Sequence, residues 1–187
     1  MSARCIDAPA LRARLRAATR NEHQSLDDAL GRLDLADRGD YARFLRVQSR
    51  ARHGVQKWLE STCPPEWLPP SQADRLDRDL AALGCEAEDD APDFTCADEG
   101  PVAWLGAAWV LAGSSLGNRV MERDLAVRAH DDWPMAFLRD ETMPAYFKAL
   151  RPLLEGTDLN PGAERTAAAV FAHFLAETDR QMATAAA

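Results

Sequence analysis

The chain reads as helices throughout, with apolar residues recurring at helical spacing and no convincing strand alternation of apolar with polar residues. That pattern restricts the fold to helices packed on helices, with proline and glycine as the punctuation. A first helix is predicted from about residue 10 to 30, where Leu11, Leu15, Ala18, Ala29 and the pair Leu26 and Leu30 share helical spacing. The segment GRLDLADRGD breaks it, and Asp40 suits the N-cap of the helix YARFLRVQSRARHGVQKWLE. STCPPEWLPPS reads as a proline-rich connector whose Ser71 caps a short helix through Leu83. Residues 84–99, GCEAEDDAPDFTCADE, read as an acidic loop, solvated and mobile. A long helix over about 101–123 opens on a proline that suits a first turn. HDDWP ends that region, and helices near 135–154 and 161–182, joined by the turn-forming DLNPGAERT, complete the chain. The expectation is an all-α bundle of five to seven helices.

Composition narrows the class further. With 187 residues, 47% of them hydrophobic, one globular domain over 1–187 can hold a real core, with residues 1–9 as a flexible start. A net charge of −8 argues against nucleic acid as a partner. The charge is uneven: residues 1–60 carry 12 Lys and Arg against 8 Asp and Glu, whereas 61–187 carry 10 against 22. An anionic ligand or partner is therefore expected at a surface built by the first third. No apolar run approaches the roughly 20 residues of a membrane span. The N-terminus also lacks a secretory signal, so the expected location is the cytoplasm, without a membrane. Cys5, Cys63, Cys85 and Cys96 show no CxxC and no zinc-type spacing, which suits reduced structural thiols.

Two stretches carry chemistry. In ATRNEHQSLDDAL, residues Arg16, His23 and Leu30 fall nearly on one line of the first helix, with Leu15, Thr19 and Leu26 beside it on the apolar side. Asp27 follows His23 by four residues, in range to hold one imidazole nitrogen and leave the other for a metal. A solvated surface histidine with a nearby acid fits the same residues. Arg16, two turns before His23, is placed to meet an anionic group. In GAAWVLAGSSLGNRV, Gly113 and Gly117 share a face, and Gly106 lies seven residues before Gly113 on nearly the same line. Each interior glycine costs about 1 kcal/mol relative to alanine, so something flat or bulky is expected against the backbone there. That could be a neighbouring helix or a planar cofactor lying across a helix bent by Ser114 and Ser115.

LRAATRNEHQSLDDAL followed by YARFLRVQ resembles the opening of bacterial haem oxygenases, and AGSSLGNRV resembles that family's glycine-bearing distal helix. PAYFKALRPLLE and AAAVFAHFLAET resemble its last helices more loosely. The resemblance covers most of the chain, and its specific part lies in the first two motifs. It implies a multi-helix bundle of that type, with about six to seven helices. It makes His23 the iron ligand, Asp27 its hydrogen-bond partner and Arg16 the basic residue near a haem propionate. Gly113 and Gly117 become the distal glycines beside which dioxygen fits. Trp109 stands where relatives often have tyrosine, and Ser114 where the animal enzymes have aspartate. Haem would be both cofactor and substrate, cleaved with dioxygen to biliverdin, carbon monoxide and ferrous iron. Electrons would come from a donor such as ferredoxin or a flavin reductase, docked at the basic first third of a monomer. The implied catalytic set is Gly113, Gly117 and Ser114, with no strong side-chain base.

The other histidines read differently. His173 suits a packed or pocket-edge position, His53 an exposed one and His130 a turn. The tryptophans suit packing, although Trp109 is placed to touch a ligand. Three alternatives stay open on sequence alone. One is a haem carrier or sensor of the same fold that does not break the ring. Another is a thiaminase-like helical enzyme, which would want a cysteine nucleophile in the core. The third is a purely structural interaction protein.

Overall fold

The computed structural model describes residues 9–85, 90–97, 100–130, 132–156 and 162–184. Among them are seven α-helices and no strand. The helices are α1 (Leu11–Ala18), α2 (Arg20–Leu30), α3 (Arg38–Thr62), α4 (Ala73–Ala82), α5 (Ala103–Arg128), α6 (Thr142–Leu154) and α7 (Gly162–Thr184). A single 3-10 turn, Pro65–Trp67, lies between α3 and α4. No helix among the described residues is long and apolar enough to cross a membrane.

Local chemistry explains where the elements start and stop, and it corrects several expectations. The helix predicted over 10–30 is broken at Thr19 into α1 and α2. Thr19 is buried, and its hydroxyl and its amide both donate to the Leu15 carbonyl, at 2.8 and 3.0 Å. Such back-bonding by threonine bends a helix. The cap of α3 is Asp37, not Asp40: its carboxylate accepts from the amides of Gly39 and Asp40 at 2.9 and 3.0 Å. Asp40 accepts from the Asp34 amide instead and pairs with Arg43. Ser71 does accept an amide proton, from Ala73 at the start of α4. That helix ends at Ala82, and the chain turns away through Gly84, whose φ of 74° is the left-handed conformation that glycine adopts without strain.

The long helix runs over Ala103–Arg128, further than predicted. The helix expected from 135 begins only at Thr142, because buried carboxylates organise the preceding turns. Asp79 accepts from the amides of Ala136 and Phe137, and Asp140 from those of Thr142 and Met143. The acidic loop is not simply solvated. Phe94 is 5% exposed, Asp90 pairs with Arg50, and the Cys96 sulfur lies 3.4 Å from the Thr166 hydroxyl. Gly54 of α3 makes the crossing possible, since a Cβ there would meet the Pro92 carbonyl oxygen at 2.3 Å. Residues 86–89 and 98–99 of that loop lie outside the described residues, as do 1–8 of the expected flexible start and residues 158–161 of the DLNPGAERT turn, whose remaining five residues open α7.

Helix α7 packs against α1, α2, α3 and α5 and so forms the centre of the bundle. Two apolar cores result. The first gathers Leu15, Val55, Leu59, Ala107, Leu150 and Val170, from α1, α3, α5, α6 and α7. The second gathers Tyr41, Phe44, Leu76, Leu80, Leu125 and Phe137, from α3, α4, α5 and the turns before α6. Helix α5 runs through both. It is buried all round over residues 103–112 and one-sided from Gly113 onward. That change marks the seam where the site lies.

Candidate functional site

A cavity of about 590 Å³ opens between α2, α5 and α7, with α3 behind it. Its size falls within the range of small-molecule and cofactor sites. Members of both cores face it, among them Phe44 from one and Trp109, Phe171 and Phe174 from the other.

Helix α2 supplies His23. Its Nδ1 lies 2.9 Å from Asp27 Oδ2, one turn on, and the two side chains are 58% and 59% exposed. The His23 ring meets the Phe171 ring edge-on, with centroids 5.3 Å apart. The imidazole is therefore held by an acid and by an aromatic ring, and Nε2 is the nitrogen that Asp27 does not engage. His23 and Asp27 line the cavity together, and Arg16, which follows Leu15 on α1, lines it with Arg20.

Helix α5 supplies the opposite wall, and here the line of glycines divides. A Cβ on Gly106 would meet the Ala163 carbonyl oxygen at 1.9 Å, so that glycine allows α5 to lie against α7. A Cβ on Gly113 or on Gly117 would have no atom within 4 Å. These two glycines leave backbone facing open space in the cavity. Ser114 and Ser115 bond as expected to carbonyls three residues back, at 2.8 and 2.6 Å, and the helix continues through them. Trp109 is buried and lines the cavity one turn before Gly113. The structure thus brings Arg16, His23, Asp27, Trp109, Gly113, Ser114 and Gly117 to one cavity, and sends Gly106 elsewhere.

The other histidines stand apart from this cavity. His53 and His130 are exposed. His173 packs edge-on against Phe94, its Nε2 buried without a hydrogen-bond partner among the described residues, and burial holds its pKa below the ordinary value of 6.5. Cys63, Cys85 and Cys96 carry no disulfide, and burial pushes the Cys63 thiol up to about 11, away from nucleophilic use. Cys5 lies outside the described residues.

Sequence reasoning missed Arg52. It lies on α3, only 6% exposed, and lines the cavity beside Ser114, to whose hydroxyl oxygen it donates at 2.6 Å. The signal was available: Phe44, Gln48, Arg52, Val55 and Leu59 follow one another at helical spacing, so a cation sits in the core register of α3. Burial lowers the Arg52 pKa to about 10, against the opposing charge of Asp140, and leaves it cationic at neutral pH.

No family model matches the sequence, and no curated protein matches it. The architecture is of the all-α class, with a ligand-sized cavity between α2, α5 and α7. Within that class the chain is similar in fold to the haem oxygenase of Neisseria meningitidis, seen in crystal structures of its NO- and CO-bound forms. The TM-score is 0.70 at 20% identity, over 93% of this chain and 92% of that one.

Proposed function

We propose that this chain is a haem oxygenase that binds haem between α2 and α5 and cleaves it to biliverdin, carbon monoxide and ferrous iron. One observation carries the reading: a histidine anchored by a carboxylate and two glycines with empty space before them line the same cavity. The residues fit the group. Asp27 fixes the His23 ring and leaves Nε2 as the iron ligand, the usual arrangement of a ligating histidine with a carboxylate behind it. The Gly113–Gly117 face offers flat backbone where a planar ring can lie close, and Phe171, Phe174 and Phe44 give the cavity an apolar lining. Arg16 and Arg20, both exposed, complement propionate charge at the mouth.

Bound haem would supply both the iron that activates dioxygen and the ring that is oxidised. The protein's own contribution is positional. His23 would hold the iron, and the Gly113–Gly117 backbone would limit which small molecules fit beside it. Trp109 and the phenylalanines exclude water from the apolar part of the cavity. Ser114 donates to Leu111 and accepts from Arg52, so it fixes the glycine segment and does not act as a base. Electrons come from a separate donor, which the basic N-terminal third suits by charge.

The test is a hemin titration of the wild type and His23→Ala, followed by ascorbate, or ferredoxin with its reductase, in air. A stoichiometric Soret band that depends on His23 and decays into biliverdin absorption supports the reading. A stable band that survives reduction and oxygen means a haem carrier. No band removes haem from the account altogether.

A further inference from the structure

Arg52 is a buried cation whose hydrogen-bond partners are all neutral. Nε–H donates to Gln48 Oε1 at 3.1 Å, Nη1 to Gln72 Oε1 at 2.7 Å and Nη2 to Ser114 Oγ at 2.6 Å. A guanidinium has five N–H bonds, so two remain beyond these three among the described residues. Its ring neighbours are Phe137 and Phe174, with centroids 5.1 and 5.9 Å away.

Opposite charge reaches Arg52 only at one remove. Gln72 Nε2 donates to Asp140 Oδ2 at 2.7 Å. Asp140 is already engaged by Arg75 at 3.2 Å and by the amides of Thr142 and Met143. No direct ion pair to Arg52 occurs among the described residues. A buried charge without a paired partner is costly to a fold, so its retention calls for a function or a counter-ion.

Two cavities meet at this side chain. One is the His23 cavity; the other, of about 460 Å³, lies on the far side of α3, and Leu111 lines both. The far cavity already combines Arg50, His53 and Lys57 with Glu60 and Asp77. On the near side, Nη2 reaches Ser114, next to the open wall at Gly113; the acid lining this cavity, Asp27, lies on α2 and is engaged with His23 Nδ1 at 2.9 Å.

We propose that Arg52 is the anion-stabilising residue of the His23 cavity. Its guanidinium, oriented by Gln48, Gln72 and Ser114, favours a negatively charged ligand atom against the Gly113–Gly117 face over a neutral one. The inference rests on the haem reading, since haem would carry such a ligand to that face.

The experiment compares fluoride, an anion, with carbon monoxide, a neutral ligand, in hemin-loaded wild type, Arg52→Met and Arg52→Lys. The expected result is that Arg52→Met weakens fluoride binding to the ferric complex by about tenfold or more, the size of one charge-assisted hydrogen bond. Carbon monoxide affinity of the ferrous complex should change less than about threefold, and Arg52→Lys should recover part of the fluoride affinity. Fluoride affinity unchanged in Arg52→Met overturns the inference, as does an equal loss of both ligands. If Arg52→Met fails to fold, the carbonyl stretch of the wild-type carbon monoxide complex decides. A positive field places it below that of hemin–CO in an apolar solvent, and a value at or above that reference overturns the inference. A wild type without a Soret band defeats the haem reading and this inference together. A Soret band with an indifferent Arg52→Met defeats the inference alone.

Discussion

Gly106 and Gly113 lie on nearly the same line of α5, yet a methyl group at each would meet opposite surroundings. At Gly106 it would strike the Ala163 backbone at 1.9 Å; at Gly113 it would enter open space. Gly106→Ala should therefore destabilise the fold by about 1–3 kcal/mol through overpacking. Gly113→Ala should leave stability unchanged or raise it by up to about 1 kcal/mol, since alanine is the better helix former. Urea unfolding of the two variants checks the contrast. Gly113→Leu would fill the cavity, and hemin affinity should drop by at least about tenfold while the helical circular dichroism stays the same.

His173 supplies a pH prediction at the same scale. Burial holds its folded pKa below 6.5, so the unfolded chain takes up the proton first as pH falls. Nothing is lost above about pH 6.5; stability declines below it, until the folded form also protonates. The urea midpoint should fall from pH 7.5 to 5.5, and His173→Leu should reduce that fall. Equal falls in the two proteins would assign the effect to another group.

Among the elements, the contact between α3 and α7 carries a buried ion pair. Arg50 Nε lies 2.8 Å from Glu177 Oε1, with the side chains 4% and 2% exposed. Arg180 and Gln181 also donate to Glu177. Burial alone would raise the Glu177 pKa, but Arg180, Gln181 and Arg50 hold it below 4.5. Its contribution is present above about pH 4.5 and is lost as pH falls through the lower folded value. Glu177→Gln should cost about 3–5 kcal/mol at pH 7, because Arg50 keeps its buried charge and loses this partner. Thermal unfolding of the variant measures it, and a loss under about 1 kcal/mol would mean that Asp90 compensates.

At the same scale the helices themselves were legible from sequence, since apolar spacing reports amphipathic helices directly. Their ends were less so. The break at Thr19 depends on one hydroxyl turning back to Leu15, and the choice of Asp37 over Asp40 depends on which acid sits one residue before the helix. Asp37 and Asp40 look alike in a string of letters, and nothing local marks Thr19 as the place of the break. The turns over 134–140 read as helix because Met135, Phe137 and Leu138 have core spacing, whereas the buried Asp79 of α4 holds the amides of Ala136 and Phe137, and Asp140 delays the helix to Thr142.

For the molecule as a whole, the cavity is the place where two cores fail to merge. Helix α5 belongs to both, and the glycine face between them is left uncovered. A ligand that fills this seam and binds only the folded chain should raise the melting temperature in proportion to the logarithm of its concentration. A hundredfold excess of hemin over its dissociation constant should add about 2.7 kcal/mol, read by calorimetry, and His23→Ala should lose most of that gain. The sequence by itself determined the all-α class, because periodicity is local. It also determined the pairing of His23 with Asp27, because four residues along a helix is a fixed short distance. Only the tertiary structure decided that Gly106 meets α7 while Gly113 and Gly117 face space, that residues 90–97 fold onto α3, and that Arg52 stands behind the cavity. Each of those depends on what another part of the chain brings to that surface, and helical spacing states which residues share a face but not what lies opposite it.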